Sequence, residues 1–284
     1  MSSGVPLWLQ RLWSRLVSVT LIGPRRTERT RELIAGINTL KIAPSNMLAG
    51  RGVLFLHGGG YVSCDATSHS KLAAWIGHAS DAKVWLPEYR LAPEHPYPSA
   101  IHDALAVYET LLDAGQDPAQ LVIAGDSAGG GLALATAVAI RDSSLPLPAA
   151  LVLYSPWVDL SLSGNSFKTH VARDAMLQPS WIRWCAEQYR GDSPANDPGC
   201  SPLFADLSRL PPVLVHAGTE EILLSDSTRL VEQLKSAGVE VEFKCFEGVG
   251  HVFQFHTVVL KEADESIRNT GAFINRQLRQ HAQR

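Results

Sequence analysis

Residues 125–130 read GDSAGG, between a short apolar run, LVIA, and an alanine-rich segment. A serine flanked by glycines at a strand-to-helix junction is a pattern with a chemical use. Gly125 and Gly129 leave room for a sharp turn that lifts Ser127 above a sheet edge. The helix predicted to start at Ala128 then points its free N–H groups and positive dipole end at whatever sits on Ser127. A serine hydroxyl is a weak nucleophile at neutral pH and needs a base, normally a histidine held by a carboxylate. Sites built on this kind of turn take the acid and then the histidine downstream of the serine. Of the ten histidines, His251 in EGVGHVF combines a late position, a strand-end loop and neighbouring glycines. The segment HAGTEEILLSD offers three carboxylates for the acid, Glu220, Glu221 and Asp226. Asp226 falls just inside a predicted helix, where a carboxylate already suits the helix N-terminus. The residues themselves leave the choice open.

A serine attacking an ester carbonyl turns its oxygen into an anion that needs preorganised donors. LFLHGGGYVSCD supplies them in the form of three consecutive glycines directly after His57. Backbone N–H groups of Gly59 and Gly60 can approach the oxygen unhindered, and Ala128 N–H, next to the nucleophile, adds another donor. A phosphate-cradling loop would need a helix immediately after the glycines and a Lys-Ser/Thr pair. YVSCDATSH has neither. Tyr61, beside the glycines, is assigned to the acyl pocket, with a place in the core as the alternative, and His57 is expected to anchor the loop.

These residues must be held by alternating strands and helices. GVLFLH, KVWLPEY, LVIAG, ALVLYSP, PVLVHAG and VEVEFKCF are strand-like, most of them apolar throughout. Helices are predicted near 68–80, 98–114, 128–141, 224–237 and 265–280. Strands apolar at nearly every position belong to a parallel sheet covered on both faces. The alternation predicts a doubly wound, mostly parallel α/β sheet, with ligands at the strands' carboxyl ends. Two stretches break the pattern: residues 1–45, and about 160–203 with a helix at PSWIRWCAEQY. Both are long enough to be lids or binding loops. They are assigned as N-terminal cap helices and a cap insertion, with 46–284 as the core.

Composition narrows the partners. A chain of 284 residues with net charge −3 presents no basic field for nucleic acid. The four cysteines form no C-x-x-C pair and read as reduced thiols of a cytoplasmic protein. No metal-ligand cluster is visible, and no cofactor is expected. VPLWLQRLWSRLVSVTLIG is apolar but broken by Arg11 and Arg15, so it fits neither a signal peptide nor a transmembrane span. Trp8, Leu9, Leu12, Trp13, Leu16 and Val17 recur at helical spacing, which predicts an amphipathic helix that packs onto its own protein and bounds the acyl pocket or, alternatively, docks on a membrane surface.

Together HGGGY, EYRLAPEHPYPSAIHDA, AGDSAGGGLA, YSPWVDLS, SPLFADLSRLPPVLVHAG and the final GHVF resemble the hormone-sensitive lipase-like carboxylesterases of the α/β-hydrolase fold. The resemblance runs from about residue 52 to the C-terminus. It implies a cofactor-free serine esterase acting on short- to medium-chain acyl esters, with Ser127 as nucleophile, His251 as base and Gly59, Gly60 and Ala128 as oxyanion donors. Set against the family's Asp-Pro-Leu, EEILLSD places Glu221 on the acid. A lactone hydrolase or peptidase would use the same triad, whereas a ligand-binding module on this scaffold would not need His251. The segment before HGGG departs from the family: only GINTLKIAP is available where an early strand pair is usual, so a reduced sheet edge or a rebuilt cap is expected. A homodimer is left open.

Overall fold

The computed structural model describes residues 4–281. Eight strands form one sheet: β1 (Thr27–Ile34), β2 (Ile37–Pro44), β3 (Gly52–Leu56), β4 (Lys83–Pro87), β5 (Leu121–Asp126), β6 (Ala150–Tyr154), β7 (Val213–Gly218) and β8 (Val241–Phe246). Their order is β1-β2-β4-β3-β5-β6-β7-β8. Neighbours from β4 through β8 pair in parallel, while β2 runs antiparallel to both β1 and β4.

The helices are α1 (Leu7–Thr20), α2 (Ala66–Ser80), α3 (Ser99–Asp113), α4 (Ala128–Asp142), α5 (Ser166–Thr169), α6 (Pro179–Arg190), α7 (Leu224–Ser236) and α8 (Lys261–His281). Central strands bury both faces. Leu54, Leu56, Leu121 and Ile123 point into one apolar layer, which also takes in residues of α3, α4 and α7. Their neighbours Val53, Phe55, Val122 and Ala124 point into a second layer that takes in residues of α2 and α8. This is why the strands read as continuous apolar runs. No described helix is long and apolar enough to cross a membrane.

Two expectations need correction. Residues 27–44 are not cap helix: they form the β1–β2 hairpin, paired in register from Thr27 opposite Pro44 to Ile34 opposite Ile37. The sheet edge is therefore complete. TERTRELI hides this strand because it lies at the edge with its side chains largely in solvent, and only Ile34 is buried. The apolar stripe of α1 also does not pack inward as a whole: Trp13 and Val17 border a cavity, but Trp8, Leu12 and Leu16 are exposed. Its buried residues are Gln10, Ser14 and Ser18.

Parallel register fixes where chemistry gathers. Leu56 lies opposite Gly125, Asp126 opposite Tyr154, and Gly218 opposite Phe246. The chain segments after β3, β5, β6, β7 and β8 thus leave the sheet along one carboxyl edge.

Candidate active site

Ser127 occupies the one-residue turn between β5 and α4, with φ 52° and ψ −123°. A non-glycine residue there costs on the order of 1–3 kcal/mol and persists only when its surroundings fix it. Three backbone bonds do so. Ser127 N–H donates to the Tyr154 carbonyl at 2.8 Å, and its own carbonyl accepts from Trp157 N–H at 2.9 Å and Gly131 N–H at 3.1 Å.

From Ser127 a hydrogen-bonded chain runs along the carboxyl edge of the sheet, through segments that follow β8 and β7. His251 Nε2 lies 2.8 Å from Ser127 Oγ, and its Nδ1 lies 2.7 Å from Glu221 Oε2. All three side chains are buried. The other oxygen, Glu221 Oε1, accepts from Gly218 N–H at 2.7 Å and from the Ser155 hydroxyl at 3.0 Å. With one oxygen fixed from behind, the second is aimed at the imidazole. Burial pushes the His251 pKa down, but the Glu221 hydrogen bond and charge outweigh it, so the net shift is upward from the usual histidine value.

The two competing carboxylates lie elsewhere. Glu220 accepts from the neighbouring Thr219 hydroxyl. Asp226 is buried and accepts the Val158 and Asp159 N–H groups, each at 3.0 Å, through one oxygen. Burial and then the Asp159 charge push its pKa up to about 8. Asp226 thus holds the loop after β6 rather than facing His251.

Sequence reasoning missed two residues that brace the Glu221 segment. Ser155 links Glu221 to the segment after the histidine, because its Oγ also accepts Val252 N–H at 3.2 Å. Its place at the carboxyl end of β6 was the available signal. Asp174 accepts Ile222 N–H at 2.9 Å, together with Met176 and Leu177 N–H at 2.9 and 2.8 Å. It ties a cavity wall to the residue beside Glu221, and no local pattern marks it.

The glycine loop crosses in front of β5. Among the described residues, the N–H groups of Gly59, Gly60 and Ala128 have no protein acceptor. Gly59 and Gly60 border the same cavity as Ser127 and His251. Their glycine requirement has a different origin from open access to substrate. Gly59 has φ +114°, and a Cβ there would overlap the Ser63 carbonyl. Gly60 has φ +64°, and a Cβ would lie 2.9 Å from Cys185 Sγ and 3.0 Å from the Trp181 ring, both on α6. Below the loop, Gly58 N–H donates to Asp126 Oδ1 at 3.0 Å, and His57 stacks on Tyr89 with ring centroids 4.3 Å apart. Burial, with His69 adding to it, lowers the His57 pKa to about 4, so the ring is neutral. It donates from Nδ1 to the Gly58 carbonyl at 2.8 Å. The sequence also suggests that Glu88, Arg90, Glu94 and His95 form a buried polar network shaping this loop, but Glu88, Arg90 and Glu94 do not pair with one another. They pair instead with Arg31, Asp103 and Arg11 respectively.

Tyr61 is a further correction. It is only 1% exposed and absent from the cavity wall. With φ +63° it turns under the loop and stacks on Tyr189, ring centroids 3.6 Å apart and planes within 3°. Tyr61→Ala should therefore destabilise the fold by about 3–5 kcal/mol, as large aromatic truncations do. A thermal melt reads this as a lowered Tm, while the folded variant keeps its acyl-length preference. An altered preference with unchanged Tm would restore the pocket assignment.

The cavity over Ser127 has a volume of about 360 Å³. Trp13, Val17 and Leu21 from α1 and its end, Met176, Trp181 and Phe255 give it an apolar wall. The arrangement offers a nucleophile, a base with an aimed carboxylate, free backbone donors and a greasy recess.

A family model described as alpha/beta hydrolase fold matches residues 53–255. An acetyl-hydrolase of Streptomyces hygroscopicus is 41% identical over 225 residues, covering 79% of this chain and 75% of its own. A putative acetyl-hydrolase, LipR, of Mycobacterium tuberculosis is 35% identical over 257 residues, covering 90% and 83%. Among solved structures, an esterase/lipase from an uncultured bacterium superposes with a TM-score of 0.94 at 37% identity, covering 98% of this chain and 94% of that one. An esterase from the bacterial hormone-sensitive lipase family gives a TM-score of 0.94 at 34% identity, covering 97% and 94%. The chain belongs to the α/β-hydrolase fold family, among its hormone-sensitive lipase-like esterases.

Proposed function

We propose that the protein is a serine carboxylesterase that hydrolyses short- to medium-chain acyl esters through Ser127, His251 and Glu221. The observation that carries this reading is the unbroken chain from Ser127 Oγ through His251 to Glu221, 2.8 and 2.7 Å per link, beside the acceptor-free N–H groups. As Ser127 Oγ attacks the ester carbonyl, His251 Nε2 takes its proton. Glu221 stabilises the imidazolium that forms. The carbonyl oxygen becomes an anion held by the Gly59, Gly60 and Ala128 N–H groups, where a single such donor is worth about 10²–10³ in kcat. Collapse breaks the ester C–O bond, and the imidazolium gives its proton to the leaving alcohol. Water then repeats the sequence on the acyl-serine, with His251 again as base, and releases the acid.

The names of the relatives support ester hydrolysis. One solved esterase of this fold, 37% identical, was studied after soaking with p-nitrophenyl butyrate. The apolar wall supports binding through the acyl chain. Each buried CH₂ is worth about 0.8 kcal/mol, or roughly fourfold in kcat/KM. Across p-nitrophenyl esters, kcat/KM should climb by about that factor per carbon from acetate until the recess is full, then fall. Phenylmethylsulfonyl fluoride should add once per chain, with the adduct on the peptide containing Ser127. Labelling elsewhere would remove the nucleophile, and a flat acyl profile would remove the pocket.

A further inference from the structure

The helix α1 sits on the protein the wrong way round for water. Its inward face is a polar seam. Gln10 Oε1 accepts from Trp181 Nε1–H at 2.7 Å, Arg11 donates to Glu94 and to the Val62 carbonyl, and Arg15 pairs with Asp65. Lys71 Nζ donates to the Ser18 and Val19 carbonyls at 2.7 and 2.9 Å and closes the C-terminal end. Its outward face is apolar: Trp8 is 65% exposed, Leu12 46%, Leu16 55% and Val19 74%. Partly exposed polar seams contribute little stability. A contiguous apolar face left in water marks a surface that something else covers.

Three observations choose the occupant. Residues 4–26 contain four arginines and no acidic residue. Arg11 and Arg15 are used in the seam, but Arg25 and Arg26, just past the helix, are exposed and in no ion pair among the described residues. The apolar face also continues into the cavity: Trp13 is 62% exposed yet lines it, and so does the exposed Met176. Finally, the helix is 14 residues long. At 1.5 Å per residue and roughly 10 Å across, it offers on the order of 200 Å². A stable protein partner needs about 800 Å² per side. Two tryptophans on an apolar face beside free arginines match a lipid–water boundary with anionic headgroups.

We propose that α1 is an interfacial docking helix that lays Trp8, Leu12, Leu16 and Val19 into the headgroup boundary of an anionic lipid surface. The cavity mouth beside Trp13 then opens toward the lipid, so the substrates are esters partitioned into it. That second statement rests on the esterase reading above.

Flotation of the full chain with vesicles tests the docking without turnover. With 1:1 phosphatidylglycerol–phosphatidylcholine vesicles the protein should float. With phosphatidylcholine alone it should float several-fold less. The variant Trp8→Gln/Leu12→Gln/Leu16→Gln, changed only at exposed positions outside the cavity wall, should lose at least about tenfold in partitioning. Its hydrolysis of dissolved p-nitrophenyl acetate should match the unaltered protein. Arg25→Gln/Arg26→Gln should erase the preference for the anionic vesicles. The proposal is overturned if the chain floats with neither vesicle, or if the triple variant floats equally well. It is also overturned if light scattering finds a dimer that the triple variant converts to monomer, which would give this face to a second copy. A protein that floats but does not hydrolyse dissolved esters upholds the docking and removes the esterase reading.

Discussion

Ser127→Ala should lower kcat by on the order of 10⁶-fold, the scale of nucleophile loss in serine hydrolases, while leaving the fold intact. The substitution removes one hydroxyl and one hydrogen bond, that to His251 Nε2. The three backbone bonds that hold the turn at φ 52° do not involve the side chain, and alanine keeps the Cβ that the site already accommodates. Residual activity would come from the oxyanion donors and binding alone. Circular dichroism and a thermal melt establish that the sample is folded. Turnover within tenfold of the unaltered enzyme in such a sample would remove Ser127 as the attacking group.

Glu221→Gln should cost about 10⁴-fold in kcat, the scale seen when the acid of such a triad becomes an amide. The amide oxygen can keep the bonds from Gly218 N–H and the Ser155 hydroxyl that now fix Oε1. Its NH₂ then replaces Oε2 in front of His251 Nδ1. A donor there turns the imidazole to the tautomer with its proton on Nε2, facing Ser127 and unable to accept. The pH profile gives a second readout. His251 works only when neutral, and its pKa is raised in spite of burial by Glu221. Activity should therefore be complete above that raised value and lost as pH falls through it, with the half-point above the usual ~6.5 of histidine. Without the carboxylate, burial is opposed only by the Asp174 and Asp126 charges, and the acid limb of the remaining activity should move to lower pH. Asp226→Asn is the comparison. Its carbonyl can serve the Val158 and Asp159 N–H groups, so kcat should stay within about tenfold. If Asp226→Asn were the crippled variant, the acid assignment would be wrong.

Local pattern carried the argument a long way where one physical cause dominated. Strands buried on both faces have no choice but to be apolar, so β3, β5, β6 and β7 were readable. The turn at Ser127 was readable because its strained geometry demands glycines on both sides. Features that depend on what lies opposite were not. The period of α1 gives an apolar stripe but does not say which way it faces, and the structure turns Gln10, Ser14 and Ser18 inward. Tyr61 is adjacent in sequence to the oxyanion loop, yet a positive φ sends its ring beneath it. Asp174 lies 48 residues from Ile222, whose N–H it accepts. No local pattern encodes a contact of that span.

The seating of α6 on Gly60 divides the cavity into a side that tolerates redesign and a side that does not. A Cβ on Gly60 would lie 2.9 Å from Cys185 Sγ and 3.0 Å from the Trp181 ring, so both side chains close over a residue proposed to carry an oxyanion donor. A larger or smaller residue at either position shifts the donor along with the wall, so a gain in acyl volume there is coupled to a loss in rate. Trp13, Val17 and Leu21 line the same recess from α1 and its end, which make none of the hydrogen bonds that join Ser127, His251 and Glu221. Directed evolution for bulkier acyl chains should accordingly collect its substitutions on α1 and leave α6 nearly untouched.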